Sequence, residues 1–162
     1  MSELIIRHAE PAEYDHIAQL LLLAYAPGRE GGNSMYYEWI QDVQGRAKDG
    51  ELLVASIDDQ VVGTVTWCPP ASPLQDIAHE HEGEIRLLGV HPDAAGHGVG
   101  RALVQACIAR GRQAKLRAIV LLTREWMVRA HHIYESEGFV RIPDRDMVPH
   151  PGIVLWAYRL VL

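Results

Sequence analysis

Along the chain, apolar positions recur with two periods, and the change from one to the other marks the elements. Leu4 to Arg7 reads as a short strand. Pro11 stands where a first helical turn tolerates it, with Glu10, Glu13 and Asp15 at the positive end of the coming dipole. Ile17, Leu20, Leu21 and Ala24 then follow at i, i+3, i+4 and i+7, the stripe of an amphipathic helix. Pro27-Gly28 and Gly31-Gly32 stop it and predict a flexible segment. A second helix is expected over 34–48, closed by Gly50, with Tyr36, Tyr37 and Trp39 as core or as the wall of a substrate site.

The period then shortens. Leu52 to Ile57 and Val61 to Trp67 are largely β-branched and apolar, and Asp58-Asp59-Gln60 joins them as a hairpin. Pro69, Pro70 and Pro73 end the second strand and open a polar loop rich in His and Glu. A strand is expected over 84–90, ended by His91-Pro92-Asp93, and a helix from Val99 with Ala102, Leu103, Ala106 and Cys107 on one face. Ala118 to Leu122 predicts a strand and Met127 to Glu137 a helix that Gly138 stops. Residues 139–141 and 153–160 predict closing strands around a Pro-rich loop. With no repeat, linker or composition shift, residues 1–162 are expected to form one mixed α/β domain.

Composition narrows the function classes. The chain has 162 residues, 48% hydrophobic and 22% charged, which suits an ordinary globular core and excludes a largely disordered chain. Lys and Arg number 15 against 21 Asp and Glu, a net charge of -6. That balance argues against nucleic acid as a partner and favours cationic ones such as amines. Two cysteines, Cys68 and Cys107, make no disulfide framework and are expected as separate thiols in a reducing cytoplasm. The N-terminal stretch lacks a signal-peptide layout, and the apolar run from Ile17 to Ala26 is too short for a bilayer, so no membrane association is expected.

The chemistry concentrates in EIRLLGVHPDAAGHGVGRALV, residues 84–104, where a strand enters a loop with Gly96, Gly98 and Gly100 and leaves as a helix. Glycines at alternating positions let successive N–H groups turn to one point, and the helix N-terminus adds its positive end, a cradle suited to pyrophosphate. Neither the dinucleotide fingerprint nor a Walker A loop fits, because Arg101 and Leu103 stand where glycines would be needed and no Gly-Lys-Ser/Thr follows. His79-Glu80-His81-Glu82 lacks zinc-site spacing and reads as a solvated loop, and His131-His132 reads as ordinary helix surface; no metal is expected. His91 and His97 border the cradle.

Downstream, MVRAHHIYESEGF carries Ala130 and Tyr134 on one helix and ends in Gly138-Phe139. Together the two segments resemble the GNAT superfamily of N-acetyltransferases. The Q/R-x-x-G-x-G/A signature of that family falls on Ala95 to Gly100, and its N-x-x-A-x-x-x-Y-x-x-x-G-F pattern on Met127, Ala130, Tyr134, Gly138 and Phe139. Ala95 replaces the usual Gln or Arg, and Met127 the commoner Asn. The resemblance implies a mixed, mostly antiparallel central sheet flanked by helices, with acetyl-CoA between the strands ending near Val90 and Leu122. It places Gly96, His97, Gly98, Val99, Gly100, Arg101 and Ala102 at the pyrophosphate, and Leu88, Gly89 and Val90 along the pantetheine, with a bulge expected at Gly89. Met127, Ala130 and Tyr134 complete the cofactor contacts. Tyr134 is implied as the acid for the leaving thiolate, and Glu84 as a general base acting directly or through water, against a bland reading as a solvated strand-end carboxylate.

The implied activity is acetyl transfer to an amine of a small molecule or peptide by direct attack in a ternary complex. The alternative is a non-catalytic acyl-CoA-binding sensor. Acceptor contacts are expected from residues 25–39 and 143–152. Homodimers are common in the family, and the sequence itself marks no interface.

Overall fold

The computed structural model describes residues 2–27 and 34–162; the expected flexible segment around Gly28 and Gly31-Gly32 lies outside them. Strand β1 (Leu4–His8) leads through a 3-10 turn, Pro11–Glu13, to α1 (Tyr14–Ala24), α2 (Ser34–Gln41) and α3 (Val43–Asp49). Then come β2 (Glu51–Ile57), β3 (Gln60–Cys68), β4 (Glu82–Val90), α4 (Val99–Gln113), β5 (Ala118–Arg124) and α5 (Val128–Ser136). Strands β6 (Val140–Arg141), β7 (Met147–His150) and β8 (Ile153–Val161) close the chain. They form an eight-stranded sheet in the order β1-β2-β3-β4-β5-β8-β6, with β7 also on β8. Every pairing is antiparallel except β4 with β5, so the expected mixed, mostly antiparallel α/β sheet is what forms.

Local chemistry explains most of these elements. The β2–β3 hairpin turns through Asp58 and Asp59 at φ 50° and 62°, the paired left-handed residues of a turn whose twist matches the strands. The long helix expected over 34–48 is instead two. Asp42 caps α3 by accepting the Gly45 N–H at 3.1 Å, and the buried Arg46 guanidinium donates to the Trp39 and Ile40 carbonyls at the end of α2. A capping residue in mid-run thus interrupts the helix. The Pro-rich closing loop holds one further strand, β7.

Two apolar layers pack on the two faces of the sheet. On one, Leu103, Val104 and Cys107 of α4 meet Val65, Trp67, Ile85 and Ile119, with Ala130 and Tyr134 of α5 joining them. On the other, Ile17, Leu20 and Leu21 of α1 and Tyr37 and Ile40 of α2 cover Leu52, Val54 and Leu87. Cys68 and Cys107 are both free and buried; burial pushes the Cys68 thiol up to about 12. Among the described residues no helix is long and apolar enough to cross a membrane.

Candidate active site

The site begins where the only parallel pair of strands among the described residues comes apart. β4 and β5 are registered from Glu82↔Ala118 to Ile85↔Leu121 and no further. Beyond that point β4 continues to Val90 and β5 to Arg124 without each other, leaving a V-shaped gap with two unpaired strand edges. Its walls are Ile85 to Leu88 of β4, Leu122 to Arg124 of β5, Tyr25, Tyr36 and Trp39 from the α1–α2 side, and Met127, Tyr134 and Leu155.

A bulge bends β4 at the mouth of the gap. Thr64 pairs with Gly89 and Thr66 with Arg86, so Leu87 and Leu88 together face Val65 alone. Leu87 takes φ 49°, an uncommon conformation for a branched residue and a mark of local strain. The bulge expected at Gly89 therefore lies one to two residues earlier. Gly89 serves packing instead, since a Cβ there would stand 2.9 Å from Leu21 of α1. The Leu88 carbonyl is held by the Tyr25 hydroxyl at 3.0 Å.

The glycine loop lies at the far end of β4. Gly96 and Gly98 have φ 83° and 78°, with no atom within 4 Å of where a Cβ would be. They are needed for conformation, not for room. Gly98 is the N-cap of α4 and offers no side-chain cap, so the first N–H groups of the helix stay free for an anion. Gly100 is needed for room instead, because a Cβ there would come within 2.8 Å of Ile133 of α5. Among the other residues expected at the cofactor, His97 is exposed, whereas Val99 is buried and Ala102 half-buried. Arg101 pairs with Glu137 at 2.9 Å, and Val90 packs beside Gly100.

Tyr134 and Met127, from α5 and its N-cap, line the gap with Leu88. Ala130 is buried in the core beside them. Tyr134 is itself buried, against Phe139 and Tyr158. Burial raises its phenol well above the ordinary value, so like any tyrosine it is protonated at neutral pH.

Glu84 does not stand at a solvated strand end. It is 0% exposed and does not line the gap. Its Oε1 accepts the N–H groups of Asp76, Ile77 and Ala78 at 2.9–3.0 Å, clasping the loop that precedes β4. Oε2 has no hydrogen-bond partner and lies 4.0 Å from the Arg86 guanidinium. Burial raises its pKa against the opposing pull of those N–H groups and Arg86.

Two histidine readings change as well. Glu82 belongs to β4, not to a solvated loop, and it is ion-paired with Arg145 and Arg159 at 2.6 and 2.8 Å. His131 is buried rather than on a helix surface, stacked on Trp156 with its Nε2 3.0 Å from the Arg124 carbonyl. No three-residue His, Cys, Asp or Glu cluster suited to a metal occurs among the described residues.

Sequence reasoning passed over Arg86, Arg124 and Leu155, which complete the walls. The available signal for Arg124 was an arginine closely following the apolar run Ala118–Leu122. Of the expected aromatic trio, Tyr36 and Trp39 face the gap and Tyr37 is core. Residues 143–152 contribute nothing to its lining.

Known proteins share this fold. The structure of a GNAT family acetyltransferase from Staphylococcus aureus superposes with a TM-score of 0.77 over 99% of both chains at 14% identity, a likeness of fold. A GNAT family acetyltransferase from Brucella melitensis, in complex with acetyl-CoA, matches with a TM-score of 0.63 and 25% identity over 85% of this chain and 83% of that one. In sequence, the mycothiol acetyltransferase of Cellulomonas flavigena is 42% identical over 92 residues, 56% of this chain and 26% of its own length. That of Renibacterium salmoninarum is 31% identical over 103 residues, 64% of this chain and 30% of its own length. The chain therefore spans less than a third of these relatives. Residues 14–139 match the acetyltransferase (GNAT) family model, a span from the start of α1 through the glycine loop to Phe139, and this chain belongs to that family.

Proposed function

We propose that the chain is an N-acetyltransferase that moves the acetyl group of acetyl-CoA to an amine of a small molecule or peptide by direct attack in a ternary complex. The observation that carries this reading is the gap between the splayed edges of β4 and β5, with Tyr134 on its wall and β4 leading at its far end into the left-handed glycine turn capping α4. The donor set fits acetyl-CoA. Free N–H groups of Val99, Gly100 and Arg101 suit a pyrophosphate, with His97 and Arg101 beside them, and the unpaired edge at Leu88, Gly89 and Val90 suits pantetheine as an added strand. Bound there, acetyl-CoA supplies the acetyl group as a thioester whose sulfur becomes the leaving atom.

Each step then falls to a named group. Backbone N–H groups beside the β4 bulge polarise the carbonyl oxygen. Tyr134 Oη gives its proton to the departing sulfur, a tyrosine phenol being protonated at pH 7. A free amine with pKa near ~10 is mostly ammonium at pH 7 and must first lose a proton. Because Glu84 does not itself line the gap, its role as base requires a water between the amine and Oε2, the oxygen without a partner.

An amine panel with a free-thiol readout tests the reading against the sensor alternative. An enzyme releases CoA with at least one amine above the hydrolysis rate; a sensor binds acetyl-CoA and releases none.

A further inference from the structure

Arg124 ends β5 inside the gap and is 4% exposed. A buried guanidinium is tolerated when hydrogen bonds or a counter-ion replace its water, and the other arginines near the site satisfy that condition. Arg86 lies over Trp39 with its centre 4.4 Å from the ring, donates to the Leu74 carbonyl at 2.9 Å, and has Asp76 at 3.5 Å. Arg46, although its Nε is also buried without a partner, donates to two carbonyls through its terminal nitrogens. Arg124 has neither a carboxylate nor a carbonyl partner for its guanidinium among the described residues. Its neighbours are the rings of Tyr36 and Trp126, at 5.8 and 5.7 Å, and Tyr36 is its polar contact.

Of three consecutive residues here with a buried polar atom lacking a hydrogen-bond partner, two offer donors and one, Glu125 with its Oε2, an acceptor; of the three only Arg124 lines the gap. Arg124 Nε is buried without a hydrogen-bond partner, and so is Nε1 of the adjoining Trp126. Glu125 between them makes no ion pair with Arg124. A donor left open on the wall of a ligand gap, as Arg124 Nε is, asks for an acceptor, and a full positive charge asks for an anion.

We propose that the amine acceptor carries a carboxylate, as an amino acid or a short peptide does, and that Arg124 binds that carboxylate while the amine faces Tyr134. This rests on the acetyltransferase reading and adds the substrate class to it. The chain's net charge of -6 draws the cationic end of such a zwitterion, and Arg124 selects its anionic end. Arg124 is thereby a specificity-determining residue, outside the proton transfers.

The test compares L-amino acids and dipeptides with their C-terminal amides as acceptors, reading kcat/KM by CoA release. The wild-type protein is expected to prefer the free carboxylate. Arg124→Gln is expected to shrink the acid-to-amide ratio by roughly 10- to 100-fold, the range for losing a charge-assisted hydrogen bond, and Arg124→Lys to restore part of it. Because the ratio is taken within one sample, a loss of folded protein cancels. Amides used as well as acids by the wild type, a ratio unmoved in Arg124→Gln, or no carboxylate-bearing acceptor turned over while acetyl-CoA still binds would each overturn the proposal alone. Absence of acetyl-CoA binding would overturn the acetyltransferase reading beneath it.

Discussion

At the residue scale, the proposed proton transfers fall to two buried groups, of which Tyr134 lines the gap and Glu84 does not. Burial raises the Tyr134 phenol. Tyr134→Phe is expected to lower turnover by roughly 10²–10⁴-fold, the size of a general-acid contribution, with acetyl-CoA affinity nearly unchanged because the ring stays packed. Steady-state rates beside a calorimetric titration check this; full activity would leave Tyr134 a packing role only. Glu84 is buried off the gap, and its Oε1 is spent on three loop N–H groups. Glu84→Gln keeps an oxygen for the loop and loses the base. Its rate is expected to fall at pH 7 and to recover partly as alkaline pH supplies free amine, whereas Tyr134→Phe shows no such recovery. An unchanged pH–rate profile would remove Glu84 from the proton path. These two side chains also show how far a motif reaches. Tyr134 lies inside one, and the structure puts it on the wall of the gap, whereas Glu84 is located only by offset along a strand. Offset locates the strand, but it carries no information about the loop that folds over the carboxylate.

At the element scale, local signals explain what was legible. The hairpin at Asp58-Asp59, the helix opened by Gly98 and the stop at Gly138 depend on residues adjacent in sequence, and the expected elements match. The break at Asp42 was masked by an apolar stripe that continues across it, although an aspartate is a capping residue wherever it stands. The bulge was illegible for another reason: it arises from the register of β4 against β3, and Gly89 next to it offered a more obvious site. The same holds for Arg124, whose place in the gap depends on β5 parting from β4. The clamp that holds the base of β4 makes its own prediction. Burial alone would raise the Glu82 pKa, but hydrogen bonds from Arg145, the His79 N–H and Arg159 outweigh it and bring the value down to about 2 from 4.5. A depressed carboxylate contributes stability above its unfolded pKa and loses it as pH falls through the folded one. Glu82 therefore contributes stability at neutral pH that is lost between about pH 4.5 and 2. Glu13, paired with Arg7, titrates in the same window, so the comparison must be with Glu82→Gln. Denaturant unfolding of that variant is expected to show lower stability at pH 7 and a shallower acid loss; parallel curves would mean the clamp is energetically idle.

For the whole molecule, one eight-stranded sheet does two jobs. Continuous from β1 to β4, it provides the rigid floor on which α1 and α4 pack; parted between β4 and β5, it provides the opening. Net charge and local charge act in opposite senses, since an acidic chain carries Arg86 and Arg124 in the walls of its gap. Composition predicted attraction for amines and could not reveal the guanidinium groups that the fold collects from two neighbouring strands well apart in sequence. All of this depends on the gap and the glycine turn forming a single site for acetyl-CoA. Calorimetric titration of acetyl-CoA into the wild-type chain and Gly98→Val tests that most directly. Gly98 needs φ 78°, which a β-branched residue resists, so the account predicts one-to-one binding to the wild type and at least tenfold weaker binding to the folded variant. No binding to the wild type, or equal affinity in both, would contradict it.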